Sequence, residues 1–155
     1  MTIDHVEWYL SDLRNAHTKV VLDTNVVVDH ILAQDERCSQ VVNRVKQRRN
    51  TVVVCEKLLR EYRDALVGNQ QQMNAVINLI LIQMLPVELL ESHRDPTIRI
   101  QFGPEHDRFH MQLAINARAD CHITKDGAVL AERAKMSEFG VREVHPASCT
   151  SCQGR

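Results

Sequence analysis

Short runs of consecutive apolar residues alternate along this chain with longer stretches in which apolar positions recur every three or four residues. Lys19 to Leu22, Thr51 to Val54, Cys121 to Thr124 and Val141 to Val144 are too short for helices and are bounded by polar residues, so they predict buried strands. Val87 to Leu90 is a fifth candidate. Helical spacing predicts helices over 4–16, 24–33, 36–49, 56–67, 70–85, 106–118 and 127–137, with Gly68-Asn69 as a stop signal and a loop over 92–104 around Pro96, Gly103 and Pro104. Strands that alternate with helices predict an α/β fold with a mostly parallel sheet.

With 155 residues, the chain has enough surface to bury one core and none to spare for a second. The expected organisation is a helical extension over 1–18, one domain over 19–146 and a disordered tail over 147–155. A net charge of −1 excludes a strongly basic protein that coats nucleic acid. It leaves room for phosphate binding through a local patch or a bound cation. The longest apolar run, Val76 to Leu85, is about half a membrane span and contains Asn78 and Gln83. No basic stretch followed by an apolar one opens the chain, so the expectation is a cytoplasmic protein without a membrane anchor.

Of the five cysteines, Cys38, Cys55 and Cys121 fall within or beside predicted elements, where cysteine behaves as a small apolar residue. Cys149 and Cys152 have the spacing of a metal-binding half-site but lack a second pair, so the expected reading is free thiols. His5-Val-Glu7 with that pair mimics a zinc deaminase signature, but no proline precedes Cys149 and the two halves stand at opposite ends of the chain.

Candidate chemistry concentrates in three carboxylates. Asp23 ends the first strand, Asp126 follows the strand at 121–124, and Asp107 opens a helix. In an open α/β sheet the crevice at the carboxyl ends of the strands is where ligands bind. Several carboxylates gathered there make a site for a hard divalent cation. Each acid also has a plainer reading: Asp23 before a helix is a natural N-cap, and Asp120 caps or turns the chain before its strand.

The segment Val20-Val-Leu-Asp-Thr-Asn-Val-Val-Val-Asp29 resembles the opening motif of PIN-domain nucleases, and Val52-Val-Val-Cys-Glu-Lys-Leu-Leu-Arg-Glu-Tyr62 resembles their strand-to-helix second motif. Asp107 to Asp126 is similar to the last block of that family, an Asp, a helix with small residues, then Ala-Asp-x-x-x-Thr-x-Asp. These segments follow the family's order over most of residues 19–145.

The resemblance implies a three-layer α/β/α fold with a small mostly parallel central sheet, and a Mg²⁺- or Mn²⁺-dependent endoribonuclease. It further implies VapC-like function as the toxin of a toxin–antitoxin pair, with RNA as substrate, an antitoxin protein as partner and a homodimer as the usual assembly. Its acidic set maps onto Asp23, Glu61, Asp107 and Asp126, with Asp23, Asp107 and Asp126 as metal ligands and Glu61 orienting a water or completing the shell. Glu56 competes with Glu61 for that place. Thr24, Asn25 and Thr124 are expected to hold the carboxylates or the water. One or two divalent ions on such a set supply an activated water and neutralise the leaving oxygen of a phosphodiester.

Two positions depart from the family pattern: Cys55 where a small hydroxyl residue is common, and His106 where a further acid often precedes Asp107. Arg108 and Lys125 adjoin expected ligands and are the expected substrate contacts. The basic run Arg44, Lys46, Arg48 and Arg49 reads first as a helix end complementing its dipole, with a phosphate contact as the alternative. His106, His110 and His122 fall near the pocket by position, and His110 is a candidate supporting group. The alternative function is a PIN-like module that binds RNA or protein without cleaving. An aspartyl phosphatase is disfavoured because Asn25 stands where Asp-x-Asp chemistry needs a second acid, and no Gly-x-Gly-x-x-Gly marks a dinucleotide site.

Overall fold

The computed structural model describes residues 18–48, 50–66, 87–89 and 100–147. The segments expected as helices over 4–16 and 70–85, and Cys149 and Cys152, lie outside them. Described elements run β1 (Lys19–Leu22), α1 (Thr24–Ile31), α2 (Glu36–Arg48), β2 (Thr51–Val54), α3 (Glu56–Leu66) and β3 (Val87–Leu89). A 3₁₀ turn (Glu105–Asp107) then leads into α4 (Arg108–Asn116), β4 (Cys121–Ile123), α5 (Gly127–Leu130), α6 (Arg133–Ser137) and β5 (Arg142–Val144).

The five strands form one sheet in the order β3-β2-β1-β4-β5, and every neighbouring pair is parallel. From β1 the chain first moves outward through β2 to β3, then returns across the sheet to β4 and β5. With right-handed crossovers, α1 to α3 cover one face and α4 to α6 the other. Covered on both faces, the strands read as apolar runs rather than alternating ones, and Val20, Val21, Leu22, Val53 and Ile123 are all completely buried. The α/β/α architecture expected from the sequence is the one observed. Because β1 and β4 are adjacent while their following helices leave to opposite faces, a crevice opens between their carboxyl ends.

Backbone geometry explains where the predicted helix limits moved. Gln34 adopts φ 52°, which reverses the chain after α1 two residues earlier than expected. Arg118 at φ 55° closes α4, where the Ala119 amide donates to the Ala114 carbonyl in the six-to-one pattern of a left-handed helix stop. The single helix expected over 127–137 is two, because Glu132 (φ −91°, ψ 12°) leaves the helical region between them. Gly103 occupies φ 84°, and an added Cβ there would come 2.4 Å from the Met111 methyl. That glycine therefore lets the loop pass close over α4.

Candidate active site

Register places the first two site groups side by side. Leu22 pairs with Ile123, so Asp23 and Thr124 emerge together from adjacent strands. The Asp23 amide donates to the Ile123 carbonyl (2.8 Å), and the Thr124 hydroxyl donates to Asp23 Oδ2 (2.6 Å). Asp23 precedes α1, but its carboxylate makes no cap to that helix; the backbone carbonyl of Asp23 accepts from Val26 and Val27 instead. The side chain of Asp23, 4% exposed, is thus kept for the crevice. Asp126 does cap, accepting the Ala128 amide at 2.9 Å, and its own amide donates to Thr124 Oγ1 at 3.0 Å.

From the other side of the crevice, α4 delivers a completely buried histidine. His110 Nδ1 lies 3.1 Å from Asp23 Oδ1 and Nε2 lies 3.0 Å from Glu61 Oε1. Glu61 in turn accepts from the Thr24 hydroxyl at 2.6 Å. Helix α3 is fixed against β1 one residue later, where the Tyr62 hydroxyl donates to the Leu22 carbonyl in the buried interior. The alternative acid, Glu56, pairs with Arg60 on the exposed face of the same helix. Glu61, not Glu56, therefore reaches the crevice.

Electrostatics divides the acids. Burial would raise the Asp23 carboxyl, but the His110 hydrogen bond, the charges of His110 and His122 and the Thr124 hydroxyl together hold it down at about 2. Glu61 is opposed by burial in the same way and held below its ordinary value by His110 and Thr24. His110 itself is disfavoured as a cation by burial, yet the two carboxylates hold it up at about 9. Asp107 behaves oppositely: burial, a hydrogen bond to the Asp126 carboxyl and the charge of Asp23 push it up to about 6.

Asp23 and Glu61 are brought together through His110, and Asp107 meets Asp126. Among the described residues, the donor atoms that gather within 4.8 Å of one another belong to Asp23, His110 and His122. Asn25 accepts the Lys125 amide at 3.2 Å and so ties α1 to the loop after β4. Lys125 sends its ammonium to Asp29, with Asp35 at 3.9 Å, so its charge is matched within the fold. Arg108 donates to the Gly103 carbonyl at 3.1 Å, bracing the loop before α4. Asp120 lies at the opposite, amino end of the sheet, where its carboxylate accepts the Lys19 amide at 2.9 Å.

Sequence reasoning placed His122 near the pocket without giving it a role, and passed over Glu143. Both are completely buried, with His122 Nδ1 2.7 Å from Glu143 Oε2. The available signal was a titratable residue inside each of two strands otherwise read as apolar runs.

Sequence comparison matches residues 19–128 to the family profile of the PIN domain. The chain belongs to the PIN-domain family. PIN domains are in general nucleases. No curated protein matches the sequence. Among solved structures, the chain is similar to one in the crystal structure of VapBC2 from Rickettsia felis bound to a DNA fragment from their promoter, with TM-score 0.56 and 13% identity over 83% of this chain and 98% of that one. At that identity the likeness is one of fold.

Proposed function

We propose that this PIN-domain protein is a divalent-metal-dependent endoribonuclease. The observation that carries the reading is the convergence of Asp23 and Glu61, through His110, with the Asp107–Asp126 pair at one crevice of the sheet. Asp23, Asp107 and Asp126 are the residues that would hold Mg²⁺ or Mn²⁺. The fit rests on the chemistry of the donors: Asp23 is held ionised, and Asp107 is raised by burial, by its hydrogen bond with the Asp126 carboxyl and by the charge of Asp23, against the opposing pull of His106 and His110. A bound ion supplies Lewis-acid activation of water and neutralises charge on the leaving oxygen.

The protein's own groups prepare that chemistry. Thr124 fixes the orientation of Asp23, and Thr24 fixes Glu61. Asp126 accepts the Ala128 amide with its carboxylate and donates its own amide to the Thr124 hydroxyl oxygen. Arg108 at the start of α4 is the nearest candidate for a phosphate contact; Lys125 could serve only by leaving Asp29. The chain shares its fold with one in the VapBC2 complex, and the role proposed with this activity is that of a toxin with an antitoxin partner, acting in the cytoplasm as a homodimer. Among the described residues, no helix is long and apolar enough to cross a membrane.

The test is cleavage of a panel of single-stranded and structured RNAs by purified protein in Mn²⁺, Mg²⁺ or chelator, alongside Asp23→Asn. Cutting that requires metal and disappears in the variant supports the reading. Absence of cutting, or cutting unchanged in the variant, moves the conclusion to a binding module.

A further inference from the structure

We infer that Asp23, His110 and His122 form a mixed nitrogen–oxygen site for a borderline transition ion, Zn²⁺ in preference to Mg²⁺. The inference goes beyond the proposed function, whose donors are Asp23, Asp107 and Asp126, and rests on that reading only in taking Asp23 as a ligand.

Three observations carry it. One donor atom from each of the three residues lies within 4.8 Å of the others, and all three residues are buried. His122 Nε2 is a buried ring nitrogen without a hydrogen-bond partner, on a side chain with no exposed surface. A nitrogen of that kind is costly unless something occupies it.

The third observation is the arrangement behind each ring. A metal-binding histidine typically gives its other ring N–H to a carboxylate, which fixes the tautomer and turns the free lone pair toward the ion. His122 has Glu143 Oε2 at 2.7 Å from Nδ1, leaving Nε2 as the available nitrogen. His110 has Glu61 Oε1 at 3.0 Å from Nε2 and Asp23 Oδ1 at 3.1 Å from Nδ1, so an ion held by Nδ1 would take the place of the proton that the metal-free protein shares there with Asp23. Both histidines thus carry an outer carboxylate, and Thr24 secures Glu61 as Thr124 secures Asp23. Glu61 acts on this account as a positioning residue for His110.

Two imidazoles and one carboxylate suit Zn²⁺ and Co²⁺, whereas Mg²⁺ selects oxygen ligands and retains its waters. Three protein ligands also leave a coordination position open, as in catalytic rather than structural zinc sites.

Equilibrium dialysis of metal-stripped full-length protein against Zn²⁺, Mn²⁺ and Mg²⁺, with the visible spectrum of the Co²⁺-loaded protein, tests this. The expected result is one Zn²⁺ per chain, bound at least about 100-fold more tightly than Mg²⁺, and Co²⁺ bands of nitrogen–oxygen coordination. His122→Asn and His110→Asn should each weaken Zn²⁺ by about 100-fold or more while changing Mg²⁺ binding little. Glu143→Gln, which keeps the shape of the buried side chain, should weaken Zn²⁺ by roughly 10- to 100-fold if the histidine variants do not fold. Zn²⁺ held no more tightly than Mg²⁺, affinity indifferent to these substitutions, or thiolate bands in the Co²⁺ spectrum would overturn the assignment. RNA cleavage is read separately. Zn²⁺ binding without cutting sinks the nuclease reading alone, and Mg²⁺-dependent cutting without histidine-dependent Zn²⁺ binding sinks this inference alone.

Discussion

The inner and outer halves of the crevice hold carboxylates under opposite conditions. In the inner half, Asp23 and Glu61 share the buried cation of His110 and each accepts from a threonine hydroxyl, so their charges are compensated within the fold. In the outer half, Asp107 and Asp126 face each other, and Asp107 is pushed up to about 6. Similar side chains thus play different parts: the inner acids are held ionised by the groups around them, whereas burial, the Asp126 carboxyl and the charge of Asp23 hold Asp107 against ionisation.

The largest expected effect tests the inner half. Asp23→Asn should lower metal-dependent cleavage on the order of a thousandfold, the equivalent of several kcal/mol of lost transition-state stabilisation. Because it also leaves the His110 cation with one carboxylate instead of two, urea unfolding should show a loss of about 3 kcal/mol. Wild-type stability in the variant would mean that the Asp23–His110 contact carries no net energy.

Asp107→Asn sharpens the contrast. Activity should fall by about a hundredfold or more, yet metal-free stability should stay within about 1 kcal/mol of wild type or rise slightly, since the variant removes a repelled charge. A loss comparable to that of Asp23→Asn would erase the distinction between the two halves.

Tyr62→Phe probes how the inner half is held. The hydroxyl donates to the Leu22 carbonyl in the buried interior, so its loss should cost about 1–3 kcal/mol in denaturant unfolding, with metal affinity changed little.

The pH dependence of metal-free stability separates the halves again. His110 has its folded pKa raised from 6.5 to about 9, so its contribution is complete below pH 6.5 and lost as pH rises through 9. Asp107 is also raised, from 3.8 to about 6, so the protonated form favours folding and its contribution is lost as pH rises through 6. Asp23, lowered to about 2, contributes above pH 3.8 and is lost as pH falls through 2. Thermal melts in chelator should therefore lose stability in two steps, between pH 4 and 6 and between pH 6.5 and 9. His110→Asn should abolish the second step, and Asp107→Asn the first.

The smallest effect lies away from the crevice. Lys125→Ala breaks a pair with Asp29 in which both side chains remain about one-third exposed, and should cost under about 1 kcal/mol.

Strands β1 and β2 were legible residue for residue in the sequence, because a four-residue valine-rich run has no other way to bury itself between two helical layers. Among the described residues the helices expected over 24–33, 36–49, 56–67 and 106–118 were legible by period, but the ends of the first and last depended on Gln34 and Arg118 taking positive φ, which neither residue type announces. The positions of Asp23, Asp107 and Asp126 next to strand ends and a helix start were legible because those are local features. Glu61 needed the resemblance to separate it from Glu56, which the structure places on the opposite, solvated side of α3.

What the sequence alone determined, among the described residues, is the strands, most of the helices and the acids at their ends, since these follow from local periodicity and chain direction. What only the tertiary structure decided is the company those acids keep. Residues 61, 110, 122 and 143 come from α3, α4, β4 and β5 and residue 23 directly follows β1; they meet because β4 pairs beside β1 and α4 returns across the opposite face. No spacing along the chain encodes that meeting: a histidine in a short apolar strand looks like any tolerated polar residue until the neighbouring strand supplies its carboxylate and the crevice its burial.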